Sequence, residues 1–320
     1  MKIITQHQDY RSEGRTVLTI GNFDGVHLGH RRLLEELTSL AQARGLPSAV
    51  ITFSPHPLAV LAPARVPPLI TPASEKHHLI ERAGVDWLLV QPFDQALARL
   101  SGEEFVQQIL VEGLKVGHLL VGANFVFGRN RSGDVQLLRE LSLRFGFDVR
   151  VVPEVTVRGS RVSSTRIREH LAAGRVTQAN RLLGRYFRLY GDVVRGQGLG
   201  SKFLFPTLNL RPINELLPAP GVYVTRATFE GQIRPSVTNI GVRPTVSGKG
   251  LSVETHLLQT DLTHSPARLE IEILHRLRDE RKFESLERLR TQIEIDCHRA
   301  SRFHRLLERF RSRETAVRTS

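Results

Sequence analysis

Between residues 17 and 172, uninterrupted apolar runs alternate with segments of helical periodicity. An apolar run without polar interruptions indicates a strand that is covered on both faces, and a helix between two such strands indicates a parallel crossover. The sequence therefore predicts an N-terminal doubly wound parallel sheet. The predicted strands are 17–22, 48–53, 87–91, 119–124 and 149–155, and the predicted helices are 29–44, 74–83, 101–112 and 134–145.

The pattern changes after Leu183-Gly184-Arg185. Short β-like runs separated by Gly and Pro are typical of an antiparallel barrel or sandwich, and we favour the barrel. Helical periodicity returns over 284–311. The predicted fold class is α/β, an N-terminal parallel sheet followed by a C-terminal antiparallel β-barrel with a terminal helix, with domains 1–184 and 185–320. The predicted barrel strands are 186–194, 221–229, 233–240, 252–258 and 269–277.

Composition limits the class of protein. A length of 320 residues indicates about two domains. The single cysteine, Cys297, excludes an intrachain disulfide and a cysteine-rich zinc cluster. The first residues lack the apolar core of a signal peptide, and no apolar run reaches the ~20 residues of a membrane span. We therefore expect a cytoplasmic protein that does not act at a membrane.

The chain is basic, with 45 Lys and Arg against 32 Asp and Glu and a formal net charge of +13. Such an excess suits nucleic acid, a membrane surface or small anionic ligands. The basic residues are spread along the chain without interleaved aromatic residues, which favours solvated faces over a single-strand binding surface. We therefore expect no nucleic-acid partner, and self-association stays open.

The segment Gly21-Asn-Phe-Asp-Gly-Val-His-Leu-Gly-His30 lies between a predicted strand and a predicted helix. Gly21 and Gly25 can adopt backbone angles closed to other residues and allow a ligand to come close. The first turn of a helix has unpaired N–H groups, which attract a phosphate. If the helix has begun, His27 and His30 face the same way and can donate to phosphate oxygens. The alternative is a pair of partly exposed loop histidines.

This segment resembles the HxGH-type signature of nucleotidylyltransferases, and more narrowly that of bacterial bifunctional riboflavin kinase/FAD synthetases. Three later segments match that family in order, 52–57, 121–133 and 162–168. Taken alone, each has a structural alternative, namely a rigid turn, a buried strand with its turn, and a capped helix start. The resemblance implies an FMN adenylyltransferase domain in which His27 and His30 are catalytic. The implied ATP-binding residues are Gly21, Phe23, Gly25, His27, His30, Asn124, Ser164, Thr165 and Arg168.

The second half resembles the riboflavin kinase domain of the same family. Phe205-Pro-Thr-Leu-Asn209 matches a signature whose Thr and Asn hold Mg²⁺ and the nucleotide phosphates, so Thr207 and Asn209 are the implied metal ligands. Glu254 maps to the catalytic base that accepts the riboflavin 5′-hydroxyl proton. The alternatives are a turn that begins at proline and an ordinary strand carboxylate. The implied ATP-binding residues of the kinase are Gly198, Gly200, Lys202, Thr207 and Asn209.

Departures from the family pattern lie in the kinase half, where Ser201 replaces an arginine and Leu204 replaces a glycine.

The implied function is FMN synthesis from riboflavin and ATP, then FAD synthesis from FMN and ATP with release of pyrophosphate. Mg²⁺ is the implied cofactor, and riboflavin, FMN and ATP are the implied substrates. One alternative is a monofunctional FMN adenylyltransferase with a degenerate kinase domain. A more distant alternative is a flavin-responsive RNA-binding regulator.

Overall fold

The computed structural model describes residues 1–195, 207–245, 248–258 and 264–319. Contacts divide the chain into two compact units, 1–164 and 165–320. Gly198, Gly200 and Lys202, predicted to bind ATP in the kinase, lie outside the described residues, as do Ser201 and Leu204.

The first unit, all of which is described, contains a parallel sheet with strand order β1-β4-β3-β2-β5-β6. The predicted parallel sheet is confirmed. Its edge strand β1 was not predicted, because three residues are too few to show a period. The strands are β1 Lys2–Ile4, β2 Thr16–Ile20, β3 Ser48–Ser54, β4 Trp87–Pro92, β5 Val116–Gly122 and β6 Asp148–Val152.

Helices connect these strands and cover both faces of the sheet. Successive residues of β2 pack into different apolar clusters, Val17 into one and Leu18 into the other, because alternate residues of a strand face opposite ways. The helices of the unit are α1 Leu28–Arg44, α2 Pro57–Leu61, α3 Ala73–Glu81, α4 Gln95–Arg99, α5 Gly102–Phe105 with a π-helical continuation Val106–Gly113, and α6 Val135–Phe145. Short 3₁₀ turns are His7–Asp9, Pro63–Arg65 and Arg129–Arg131, and β7 Thr156–Val157 pairs with β8 Ser160–Arg161.

Local sequence signals set several of these boundaries. Ser101 and Glu104 form the capping box predicted from their spacing, since each side chain accepts a hydrogen bond from the other's backbone N–H. Gly45 ends α1 with a φ of +62°. The segment predicted as one α-helix, 101–112, is only partly α-helical. Its first turn is an α-helix and the rest is a π-helix.

The second unit contains a closed antiparallel barrel, which confirms the prediction. Its described strands follow the order β10-β13-β12-β11-β14-β9. Strand β10, which carries Thr207 and Asn209, was not predicted as a strand, because the alternation of Leu208 and Leu210 with polar residues is short and directly follows a Pro-Thr turn signal. The elements are α7 Ser164–Ala172, α8 Val176–Leu183, β9 Phe187–Val194, β10 Thr207–Pro212, β11 Gly221–Phe229, β12 Gln232–Thr245, β13 Gly248–Leu257, β14 Arg268–Asp279 and α9 Leu286–Thr319.

The two faces of the barrel strands differ in chemistry. On one face, the hydroxyls of Thr225, Thr238 and Thr255 are fully buried and form a hydrogen-bonded chain with links of 2.8 and 2.9 Å. On the other face, Val237 packs into an apolar cluster with Ala300 of α9. Residues next to the threonines, such as Asn239 and Glu254, therefore belong to the second face. Within the described residues, no helix is long and apolar enough to span a membrane.

Candidate functional site

Residues 21–30 form the corner between β2 and α1, as the sequence predicts. Gly25 has a φ of +85°, an angle that favours glycine. Phe23 and Val26 also have positive φ values, +50° and +36°, which are strained for residues with side chains. Gly21 is outside the left-handed region, contrary to one expectation for it. A Cβ at this position would lie 3.2 Å from the Phe23 ring, so the absence of a side chain at Gly21 leaves room for that ring.

His27 and His30 lie together at the start of α1. His27 is the N-cap residue, and its Nδ1 accepts the backbone N–H of His30 at 3.2 Å. The two rings stack with their centroids 3.7 Å apart and their planes 11° apart, which confirms that they face the same way. Because Nδ1 of His27 is an acceptor, the proton of its neutral ring is on Nε2. The corner thus offers an imidazole donor beside a helix N-terminus, an arrangement suited to phosphate.

Asp24 anchors this corner to two other parts of the unit. Its buried carboxylate accepts the backbone N–H groups of Ile70, at 3.0 Å, and Thr71, at 3.3 Å. Its backbone carbonyl accepts the hydroxyl of Ser164 at 2.9 Å. Ser164, predicted from the fourth matching segment, is therefore bonded directly to the first. The contact spans 140 positions in sequence.

A cavity of about 540 Å³ opens beside the corner, and Gly21 and Asn22 form part of its wall. The rings of Phe125 and Phe127 lie nearly parallel, with centroids 5.4 Å apart and planes 17° apart. An apolar cleft with aromatic walls suits a flat ring system. The phenylalanines that line the cavity are Phe53, Phe93, Phe105, Phe125 and Phe127.

This aromatic cavity was missed by the sequence analysis, although Asn124 also lines it. Asn124 follows the end of β5 and was predicted as an ATP contact. Its side-chain Nδ2 donates to Oε1 of Glu154. The available signal was the pair of phenylalanines at 125 and 127, directly after a buried strand, where ligand-binding residues of parallel sheets collect.

Thr165 and Arg168 follow Ser164 in the first two turns of α7. By their contacts they belong to the second compact unit, whereas Ser164 is the last residue of the first. Their predicted binding of ATP therefore stays a prediction.

In the barrel, three strands bring together Asn209, Glu254 and Asn239. Asn209 of β10 is directly paired with Glu254 of β13, which is in turn paired with Asn239 of β12. All three are half-buried. Side chains that are directly opposed in antiparallel strands have Cβ atoms ~4.5–5.5 Å apart. The predicted metal ligand and the predicted base are therefore cross-strand neighbours.

Glu280 and Gly241 lie beside Asn239 of this row and were not singled out as site residues. A Cβ on Gly241 would lie 2.4 Å from Oε1 of Glu280 and 3.2 Å from Nδ2 of Asn239. The Glu280 carboxylate therefore occupies the space that a side chain at position 241 would fill. A second carboxylate thus lies beside the row that contains Glu254.

The donors in this part of the barrel are mostly neutral oxygens. Thr207 and Asn209 are half-buried and two residues apart on β10, so they share a face. Among the described residues, no group of three or more His, Cys, Asp or Glu could hold a metal ion. A hydroxyl, an amide and a neighbouring carboxylate nevertheless fit Mg²⁺, which keeps several water and phosphate ligands.

Comparisons with known proteins agree with both units. The FAD synthetase family model matches residues 9–166, and the riboflavin kinase family model matches residues 183–304. The crystal structure of a macrolide-efflux protein from Streptococcus pneumoniae superimposes with a TM-score of 0.83 at 27% identity, covering 92% of this chain and 96% of that one. The fold is therefore shared over nearly the whole chain.

Relatives named bifunctional riboflavin kinase/FMN adenylyltransferase align over most of their length. The Pseudomonas fluorescens protein is 41% identical over 298 residues, which is 92% of this chain and 96% of that protein. The Escherichia coli K12 protein is 38% identical over 281 residues, 88% of this chain and 90% of that protein. The Bacillus subtilis protein is 34% identical over 302 residues, 93% of this chain and 95% of that protein.

A parallel sheet with a glycine- and histidine-rich corner, followed by a closed barrel that carries the row of Asn209, Glu254 and Asn239, is the architecture of a two-domain transferase. The chain belongs to the family of bifunctional riboflavin kinase/FMN adenylyltransferases. It carries both the FAD synthetase domain and the riboflavin kinase domain of that family.

Proposed function

We propose that this chain converts riboflavin to FAD in two ATP-dependent steps. The barrel transfers the γ-phosphoryl group of ATP to the riboflavin 5′-hydroxyl, giving FMN and ADP. The N-terminal unit transfers AMP from a second ATP to the FMN phosphate, giving FAD and pyrophosphate. The aromatic cavity beside the histidine corner is the main support, because it places a surface for a flat apolar ring next to a surface for phosphate.

In the adenylyl transfer, the FMN phosphate oxygen attacks the α-phosphorus of ATP, and the bond to pyrophosphate breaks. The nucleophile is already an anion, so this step needs no general base. His27 and His30 donate to the triphosphate and counter the charge that builds on the leaving pyrophosphate. The phenylalanine walls of the cavity hold the isoalloxazine ring of FMN, with Asn124 at the same opening.

In the kinase step, the riboflavin hydroxyl oxygen bonds to the γ-phosphorus of ATP, and the bond from that phosphorus to the ADP oxygen breaks. Glu254 accepts the proton that the hydroxyl loses. Thr207 and Asn209 would hold Mg²⁺, which would supply positive charge against the phosphate oxygens. The direct pairing of Asn209 with Glu254 supports this assignment, since the base has to reach the hydroxyl that attacks the phosphate next to the metal ligands.

One assay tests both halves. The full chain is incubated with riboflavin, ATP and Mg²⁺, and products are separated by chromatography with flavin fluorescence detection. FMN should appear first and FAD later, and a parallel reaction started from FMN should give FAD directly. FAD from FMN without any FMN from riboflavin would identify a monofunctional adenylyltransferase. Absence of both products, together with salt-dependent RNA binding, would favour the regulator.

Several expectations stay predictions under this proposal. These are ATP binding by Thr165, Arg168, Gly198, Gly200 and Lys202, the domain boundary at 184/185, the cytoplasmic location and the lack of a nucleic-acid partner. The boundary can be tested by expressing 185–320 alone and measuring riboflavin phosphorylation.

A further inference from the structure

Lys76 on α3 links two of the segments that form the adenylyltransferase corner. Its ammonium Nζ donates to the hydroxyl of Thr52 at 3.1 Å and to the carbonyl of Asn22 at 3.4 Å. The Thr52 hydroxyl donates to the same Asn22 carbonyl at 3.2 Å. Thr52 is fully buried at the end of β3. One carbonyl of the strained corner is therefore fixed by two donors from different elements.

The site around Lys76 keeps a positive charge close to the corner. Lys76 is half-buried, and burial lowers the pKa of its ammonium, an effect that the nearby carboxylate of Asp24 opposes. Asp24 is itself held by the backbone of Ile70 and Thr71, just before α3. The corner and the start of α3 are thus joined by both a carboxylate and an ammonium.

Fixing the Asn22 carbonyl also fixes the N–H of Phe23, because both belong to one planar trans peptide group. In such a group the C=O and N–H point in opposite directions, so the Phe23 N–H is directed away from Lys76. Within the part of the chain that is described, no acceptor bonds to this N–H. A backbone donor without a protein partner beside a helix N-terminus is available to a phosphate oxygen.

We propose that Lys76 is a positioning residue for adenylyl transfer, which holds the Asn22–Phe23 peptide so that the Phe23 N–H faces the ATP triphosphate. This inference rests on the proposed role of the corner in binding ATP. Lys76 also stabilises the positive φ angles at Phe23 and Val26, since strained backbone persists only where neighbouring contacts determine it. Lys76 makes no covalent contribution to the reaction.

The main test replaces Lys76 by methionine, which keeps the side-chain length and removes the ammonium. Lys76→Met should lower kcat for FMN adenylylation ~10-fold or more, because small displacements of binding groups are costly. The KM for FMN should stay within about twofold, because the aromatic cavity does not include Lys76. Lys76→Arg, which keeps a donor and a charge, should restore kcat to within a few-fold of wild type.

Lys115→Met is the matched control, because Lys115 also donates to a backbone carbonyl, that of Ser12 at 2.7 Å, but not in the corner. It should leave both activities unchanged. The fluorescence of Trp87, which lies in the same unit as Lys76, reports whether each variant is folded, and riboflavin phosphorylation in the same chain reports that the barrel is intact. If Lys76→Met does not fold, Thr52→Val, which removes the shared hydroxyl, should lower the adenylylation kcat several-fold instead.

Wild-type adenylylation by Lys76→Met, or by Thr52→Val if the first variant does not fold, would overturn the inference. If Lys76→Arg does not restore kcat, the inference is also overturned, because a charged donor at position 76 would then not be what adenylylation requires. His30→Ala separates this inference from the function on which it rests. If His30→Ala loses FAD formation and Lys76→Met does not, only the role of Lys76 fails. If His30→Ala is fully active, the assignment of the corner fails.

Discussion

Glu254 lies directly across from Asn209 in the antiparallel pairing of β13 with β10. If Glu254 is the kinase base, Glu254→Gln keeps the shape of the side chain but cannot accept a proton. FMN formation should then fall ~100-fold or more, with FAD formation from supplied FMN near the wild-type rate. The measurement is a chromatographic assay started separately from riboflavin and from FMN. Equal phosphorylation by variant and wild type would make Glu254 an ordinary strand carboxylate.

His30 is the second histidine of the stacked pair at the start of α1. Loss of a donor that stabilises transition-state charge costs ~3 kcal/mol, so His30→Ala should lower FAD formation ~100-fold or more. FMN formation from riboflavin, measured in the same samples, should stay within a few-fold. A parallel fall in both products would contradict a separate adenylyltransferase site.

Phe125 tests the aromatic cavity as the site for the flavin ring of FMN. Stacking of a ring on an aromatic side chain contributes ~1–3 kcal/mol, so Phe125→Ala should raise the KM for FMN about 10-fold. The KM for riboflavin in the kinase reaction should not change. Phe310→Ala, at an exposed phenylalanine of α9, is the matched control. An unchanged KM for FMN would place the flavin elsewhere.

Gly128 lies in the loop that borders the cavity and has a φ of +72°. A Cβ there would lie 2.6 Å from the backbone N of Gly102, so Gly128→Ala forces a backbone shift. At Gly159, φ is +74° with nothing within 4 Å of a Cβ, so Gly159→Ala costs only ~1 kcal/mol of strain. Gly128→Ala should lower the free energy of unfolding by ~1–3 kcal/mol more than Gly159→Ala does.

These two variants can be compared by denaturant unfolding followed through the fluorescence of Trp87. It is the only tryptophan of the chain and lies in β4, so it reports on the first unit. Equal destabilisation by the two alanines would show that the loop yields without cost at Gly128.

Cys297 on α9 should be a poor nucleophile. Burial, together with the neighbouring carboxylates of Asp296 and Glu294, raises the pKa of its thiol to about 11. The thiolate is the reactive form, so it is scarce below that pH. Labelling by a disulfide reagent should be slow in the native protein at neutral pH and accelerate about tenfold per pH unit in the alkaline range. Denaturation should abolish the protection, and fast native labelling would contradict the expected burial.

The sequence alone was sufficient to predict the parallel sheet, the barrel and the corner at 21–30. These depend on local information, namely apolar periodicity, Gly and Pro punctuation, and a glycine that can adopt a left-handed angle. The cap formed by Ser101 and Glu104 is local for the same reason. Family-like segments further indicated Thr207, Asn209 and Glu254 before any strand pairing was known.

Only the tertiary structure decided which of these residues meet. Strand register places Asn209 opposite Glu254, and this depends on how two strands pair across residues distant in sequence. The aromatic cavity joins phenylalanines from a strand, a helix and two loops, and Lys76 reaches Asn22 from a helix 54 positions away. Local signals such as Phe125 and Phe127 mark single segments, but the contacts themselves are set by the packing of elements whose own periodicity does not encode their neighbours.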